Sequence, residues 1–350
     1  MRTGLIQTTL ATALIGAIAA VAPQTASAED YYRNKSLTMI AGYPPGGGVD
    51  TEMRVIARFI GEFIPGKPNI VAKNMPGAGG LVLGNYMYSV AKPDGLEVGM
   101  PGRSGFLLAN SIGHKGAKYD LRKFTYIGTV ASTNSILWLR RETGIRNLDD
   151  LKKAKKEIVL GGLHSRSQNV VVPKVLAKYH GFPFRPVHGY PGFHAVLIAM
   201  ERGEVDGLFS HEGSIQGTRP DLIADGKVVA IFQTFPIEPK VPVMESFVTD
   251  PKEKALLTLL NAPGRIGLPL LGPPGMEAEA TKALRAGHAK MAADKAFREE
   301  AAKRGLNVIP STGEELQAYI AKNLVSVPED VVKQYLSYTK KSKKKASSKK

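Results

Sequence analysis

The residues best suited to hold a small anion are the consecutive glycines of YPPGGGVD, Tyr43 to Asp50. Glycine lets a backbone turn sharply and approach a ligand closely, and the N–H groups at a helix start attract negative charge. The apolar stretch LTMIAG, Leu37 to Gly42, precedes the run, and Met53, Ile56, Phe59, Ile60, Phe63 and Ile64 follow it on one helical face. The pattern is therefore strand, glycine loop, helix, with Asp50 expected to N-cap the helix. Three glycines exceed the needs of a tight turn, so Tyr43, Gly46, Gly47, Gly48, Val49 and Asp50 are candidate ligand contacts.

Further junctions have related chemistry. NMPGAGG, Asn74 to Gly80, again precedes a helix pattern and makes Gly77, Ala78 and Gly79 candidates. Close strand-to-helix packing explains the same glycines equally well. PGRSGF, Pro101 to Phe106, places Arg103 and Ser104 after a strand, and arginine offers a planar fork suited to a carboxylate. LHSRSQN, Leu163 to Asn169, supplies His164, Ser165 and Ser167. HGYPGF, His188 to Phe193, brings Tyr190, Pro191 and Gly192 to another helix start. A core position is the competing reading for Tyr190. His211, beside Glu212, fits a cleft lining better than a metal site.

Covalent chemistry finds little to work with. The sequence has no G-x-S-x-G elbow, H-E-x-x-H pair or EF-hand loop, and no dinucleotide or P-loop glycine spacing. His164 and Ser165 are neighbours on an extended segment and point to opposite sides, so they make no base and nucleophile pair. The chain has no cysteine, which excludes thiolate and iron–sulfur chemistry. No enzymatic activity, cofactor or metal is expected.

The elements that must position these loops alternate as strand and helix, the mark of α/β layers with largely parallel sheets. Strands are expected at Ile70–Lys73, Leu96–Met100, Ile158–Gly162, Phe184–His188, Val205–Ser210 and Lys227–Thr234. Helices are expected at Leu81–Ala91, near Val170–Tyr179, from His194, at Glu277–Arg304 and at Glu314–Lys322.

Both ends carry their own signals. Residues 1–28 join Arg2 to an apolar stretch ending in Ala26, Ser27 and Ala28, which reads as a cleaved secretory signal and predicts a periplasmic mature chain beginning at Glu29. Roughly 320 residues then remain, enough for about two domains. The lysine-rich segment 339–350 is expected to be a disordered tail. Setting aside Arg2 and the seven lysines of Lys340 to Lys350 reduces the net charge from +16 to +8. That body charge suits anionic ligands, and no nucleic-acid motif accompanies it.

In order along the chain, YPPGGGVD, NMPGAGG, AKPDGLEVGM, YDLRKFTYIG, GYPG, ERGEVDGLF and the segment Gly272 to Leu316 resemble the Bug or TctC family. These are the extracytoplasmic solute-binding receptors of tripartite tricarboxylate transporters. The resemblance implies an α/β, two-lobed periplasmic-binding-protein-like (Venus flytrap) fold, each lobe a mixed sheet flanked by helices, joined by two crossover strands. It implies a first lobe of 29–132 plus 230–338 and a second of 133–229. It further implies a monomeric receptor that closes on a small organic carboxylate, di- or tricarboxylate or related, and delivers it to membrane permease subunits. In the family the YPPGG and GYPG loops hold a ligand carboxylate through backbone N–H groups and waters, which points here to Gly46–Asp50 and to Tyr190, Pro191 and Gly192. The family's usual hydroxyl residues are replaced by Gly48 and Val49, and Lys73 and Met75 stand where it usually has an acid and an arginine. The other readings are an exported sensing partner of a receptor kinase and an exported α/β hydrolase.

Overall fold

The computed structural model describes residues 31–211, 213–216, 218–325 and 327–339. The expected signal segment 1–28 and the lysines from Lys340 onward lie outside the described residues. Among the described residues there are eleven strands: β1 Ser36–Ala41, β2 Asn69–Asn74, β3 Glu97–Met100, β4 Thr125–Thr129, β5 Ser135–Arg140, β6 Ile158–Gly162, β7 Phe184–His188, β8 Gly207–His211, β9 Val228–Gln233, β10 Leu270–Gly272 and β11 Ser311–Thr312. The longer helices are α1 Gly48–Phe63, α2 Leu81–Ser89, α3 Ser104–Ser111, α4 Gln168–His180, α5 Phe193–Glu201, α6 Pro251–Ile266, α7 Ala278–Ala293, α8 Lys295–Lys303, α9 Gly313–Asn323 and α10 Glu329–Thr339.

The strands form two mixed sheets, one six-stranded in the order β11-β4-β10-β3-β1-β2 and one five-stranded in the order β7-β6-β8-β5-β9. In the first, β1 pairs in parallel with β2 and β3, and β10 lies antiparallel to β3 and β4. In the second, β6 runs parallel to β7 and β8, and β5 runs antiparallel to β8 and β9. The apolar stripe of α1 dictates how that helix lies: Met53, Ile56, Ile60 and Ile64 are buried against the first sheet, and Phe59 and Phe63 are half-buried beside them.

Three boundaries differ from the sequence reading. The return to the first lobe expected at about residue 230 falls within β9, which pairs with β5 because VVAIFQ supplies a second apolar edge to SILWLR. The chain changes sheets later, through α6: Leu256, Leu257 and Leu260 pack with the second sheet's core, and Leu259, Ala262 and Ile266 with the first's. The single long helix expected over 277–304 is two, because Asp294 ends α7 in extended geometry and caps α8 by accepting from Phe297 N at 2.9 Å. The helix α10, which had no expected counterpart, packs on α6 and adds Val331 to the second core.

The first crossing between sheets is the short run Val130–Asn134. It is pinned to the end of α6: Thr133 N donates to Gly264 O at 2.9 Å, and Ser132 Oγ to Arg265 O at 2.9 Å. At its far end Asn134 and Gln233, both buried, form a saturated polar pair. Asn134 Nδ2 donates to Gln233 Oε1 at 2.8 Å, and Asn134 Oδ1 accepts from Thr234 N, Thr234 Oγ1 and Phe235 N. Gln233 Nε2 donates to the carbonyls of Glu238 and Val241, each at 2.7 Å. A buried amide pair with its valences filled fixes where one strand starts and the other ends.

His288 on α7 is a second buried polar group, but one left wanting. Its Nε2 has no partner, and its ring fills the space beside Gly128, where an added Cβ would lie 2.5 Å from the imidazole. Burial pushes its pKa down to about 4. The unfolded chain takes up this proton near pH 6.5 and the folded chain only near 4, so the stabilisation is complete above about pH 6.5 and is lost as pH falls from there towards 4. The loss reaches roughly 3 kcal/mol. Urea denaturation at about pH 7 and about pH 4.5 is expected to show a smaller acid loss in His288→Leu than in the parent.

Candidate functional site

The loops after β1, β2 and β3 leave one edge of the first sheet, and those after β6, β7 and β8 leave one edge of the second. Thr129, at the end of β4, connects through five residues to Ser135, which is the register partner of His211 at the end of β8. A five-residue span reaches at most about 20 Å, so the two sets of strand ends lie near one another.

On the first lobe, Gly47 is the N-cap of α1 and no side chain caps the helix. Asp50 is therefore not the expected cap. It stands at the third helical position and reaches back, accepting from Gly46 N at 2.8 Å, from Asn74 Nδ2 at 2.8 Å and from Arg54 Nε at 2.9 Å. Asn74 Nδ2 also donates to Tyr43 O at 2.9 Å, so Asp50 and Asn74 lock the first loop to the second. Burial would raise the Asp50 pKa, but the bonds from Asn74, Gly46 and Arg54 outweigh it and hold the carboxylate below its usual range. With Asp50 turned to the loop, the opening N–H groups of α1 have no intrahelical acceptor. Gly46, Gly47 and Gly48 are exposed, and a Cβ added at Gly46 or Gly48 meets nothing within 4 Å. Val49 is half-buried against the first core.

The other glycines of this lobe do a different job. A Cβ at Gly80 would lie 1.7 Å from Pro101 O, and one at Gly105 would lie 2.1 Å from Gly79 O. The second and third loops thus touch backbone to backbone, as the packing reading of NMPGAGG requires. Gly77 backs onto Val82, and Ala78 and Gly79 are exposed with positive φ. The Tyr43 ring lies against Gly102, where a Cβ would sit 2.5 Å from Tyr43 Cε2, and its hydroxyl faces Gly79. Arg103 is the N-cap residue of α3 and Ser104 opens that helix.

The second lobe repeats the arrangement of the first. Gly192 is the N-cap of α5, no side chain caps that helix, and a Cβ at Gly189 or Gly192 meets nothing within 4 Å. Pro191 is exposed, and Tyr190 packs partly against the second lobe's smaller apolar cluster. His164 and Ser165 are exposed. Ser167 is the N-cap of α4 but does not cap it; its hydroxyl donates to His164 O at 2.6 Å. Arg166 Nη1 turns to Thr339 O at the end of α10. Trp138 is buried on β5 in the same cluster, and its indole nitrogen has no partner.

Arg103 and His211 connect the lobes electrostatically. Burial, with the Arg103 guanidinium adding to it, pushes the His211 pKa down to about 4, so the imidazole is neutral near pH 7. Its Nδ1 lies 3.4 Å from Ser135 Oγ. Arg103 also acts on Glu52 in α1, a buried carboxyl that sequence reasoning passed over. The signal was present as an acid amid the apolar positions of an amphipathic helix. No group of three or more His, Asp or Glu placed to hold a metal occurs among the described residues. No helix there is long and apolar enough to cross a membrane.

Two mixed sheets flanked by helices match the two-lobed fold of periplasmic binding proteins. Narrower comparisons agree. A TctC solute-binding protein from Polaromonas superposes with a TM-score of 0.67 at 17% identity, covering 87% of this chain and 99% of that one. A solved periplasmic transporter gives a TM-score of 0.50 at 21% identity, over 87% of this chain and 98% of that one. In sequence, the chain is 26% identical over 128 residues to the UPF0065 protein in the tcbD-tcbE intergenic region of Pseudomonas sp. strain P51, a match spanning 37% of each. No family model matches. The resemblance to TctC-type proteins read from the motifs thus holds at the level of the fold.

Proposed function

We propose that this chain is a Bug or TctC-type solute-binding receptor that captures a small organic carboxylate between its lobes. The observation that carries the reading is the pair of uncapped helix starts, Gly47 before α1 and Gly192 before α5, each open where a side chain would stand. Helix N-termini with unpaired N–H groups attract anions, and closing two of them on one ligand multiplies that attraction. Arg103, at the start of α3, adds a full positive charge. The cleft binds without a chemical step, and lobe closure about 130–134 and α6 is the signal to a partner.

In this reading residues 1–28 direct export, the mature chain works as a monomer in the periplasm, and the liganded form docks on the permease of a tripartite tricarboxylate-type transporter. Titration calorimetry of the mature chain with aliphatic and aromatic carboxylates, amino acids and their amides tests capture. At least one carboxylate is expected to bind with micromolar or tighter affinity, about −8 kcal/mol. Binding of amides alone would refute it.

A further inference from the structure

We propose that Glu52 is a ligand contact in the floor of the cleft, donating a hydrogen bond from its protonated carboxyl to a second ligand carboxylate held by Arg103. The inference rests on the receptor reading above and narrows the ligand to a dicarboxylate.

Glu52 lies one turn into α1, four residues beyond Gly48. Helical side chains lean back toward the N-terminus, and the Arg103 charge that reaches Glu52 also reaches His211 on the second lobe. The residue is only 2% exposed, and its Oε1 has no hydrogen-bond partner. A buried carboxyl left unpartnered is destabilising, by more than an exposed helix start could explain. The group therefore lacks a partner, which a ligand held at Arg103 could supply.

The surrounding charges decide what that partner is. On α1 itself, Asp50 is tied to Arg54 and Asn74. On α8, Glu300 pairs with Arg58 and Arg304, and on α7 His288 faces Gly128. On β2 Lys73 is exposed, and on β3 Glu97 accepts from Tyr86 Oη. Arg103 is the one charge that acts on Glu52, and no ion pair joins them among the described residues. Burial pushes the Glu52 pKa up to about 8, with Arg103 pulling it down. At neutral pH the floor thus offers a cation from Arg103, an O–H from Glu52 and an uncharged His211. A carboxylate accepts from both donors. An ammonium would meet Arg103 and be repelled.

The test is a thermal-shift titration of the mature chain with straight-chain dicarboxylates of three to six carbons and the matching monocarboxylates, each alone, from about pH 6 to about pH 9. At least one dicarboxylate is expected to raise the melting point at about pH 6, and its affinity to fall by about tenfold per pH unit once Glu52 ionises. Glu52→Gln keeps a donor that does not ionise, so it should bind at about pH 6 and lose that decline. Glu52→Leu should fold with an unchanged or higher melting point and bind at least tenfold more weakly, by about 1.4 kcal/mol. Dicarboxylate binding that is the same at every pH and in all three proteins overturns the role of Glu52 and leaves the receptor reading standing. Monocarboxylates binding as well as dicarboxylates overturns it too. Absence of any carboxylate binding overturns both readings.

Discussion

Gly47→Val is expected to abolish carboxylate binding in a protein that remains folded. Gly47 has φ −82° and ψ 168°, an extended conformation open to any residue. The nearest atom to an added Cβ is Pro44 O at 3.7 Å, so valine meets no obstacle in the fold. The stability loss is the weaker N-cap preference of valine, under about 1 kcal/mol. Binding suffers differently, because the two methyl groups stand over the N–H groups that would meet the anion. Loss of those charge-assisted bonds predicts at least a hundredfold weaker affinity, about 3 kcal/mol. Calorimetry and a melting curve on the same sample separate the two effects. A valine variant that binds like the parent would remove α1 from the site.

How much of this was legible beforehand depends on whether local sequence or distant contact decides the matter. The strand, glycine loop and helix around Tyr43–Asp50 follow from local periodicity and composition, and the structure has them where the pattern puts them. The role of Asp50 does not follow, because accepting from Gly46, Arg54 and Asn74 together requires β2 to lie beside β1. The helix α6 was hidden by Pro263 and Gly264 in its last turn, which read as a loop. It is also apolar on two faces, serving two cores, so it lacks a single stripe. Glu52 was hidden by the opposite habit: an acid within a helix reads as a solvated face until its burial is known.

The same limit explains the glycines. YPPGGGVD and NMPGAGG look alike in sequence, yet the first run leaves space open and the second closes it. One composition therefore serves two ends, ligand access and backbone contact. Only the neighbouring loop after β3 tells them apart.

Gly80→Ala is the mutation that exposes this difference, and its expected effect is on folding. Gly80 has φ +95°, which disfavours any side chain, and its added Cβ would lie 1.7 Å from Pro101 O and 2.8 Å from Pro101 C. The obstacle is main chain, so no side-chain rotation relieves it. Pro101 is also packed against the Gly42 main chain, where an added Cβ would lie 2.9 Å from it. Left-handed backbone strain accounts for about 1–2 kcal/mol, and displacement of a packed backbone adds roughly 1–3 kcal/mol. A total of roughly 2–5 kcal/mol should appear as a lower urea midpoint with little change in slope. Gly79→Ala is the control, with φ +66° but its nearest contact the Gly105 Cα at 3.4 Å, so strain of about 1 kcal/mol is all that is expected. Equal losses in the two variants would show that left-handed conformation, and not contact with Pro101, is what the second glycine run supplies. Unequal losses, with Gly80→Ala the larger, place the function of that run in holding the Arg103 loop beside the open start of α1.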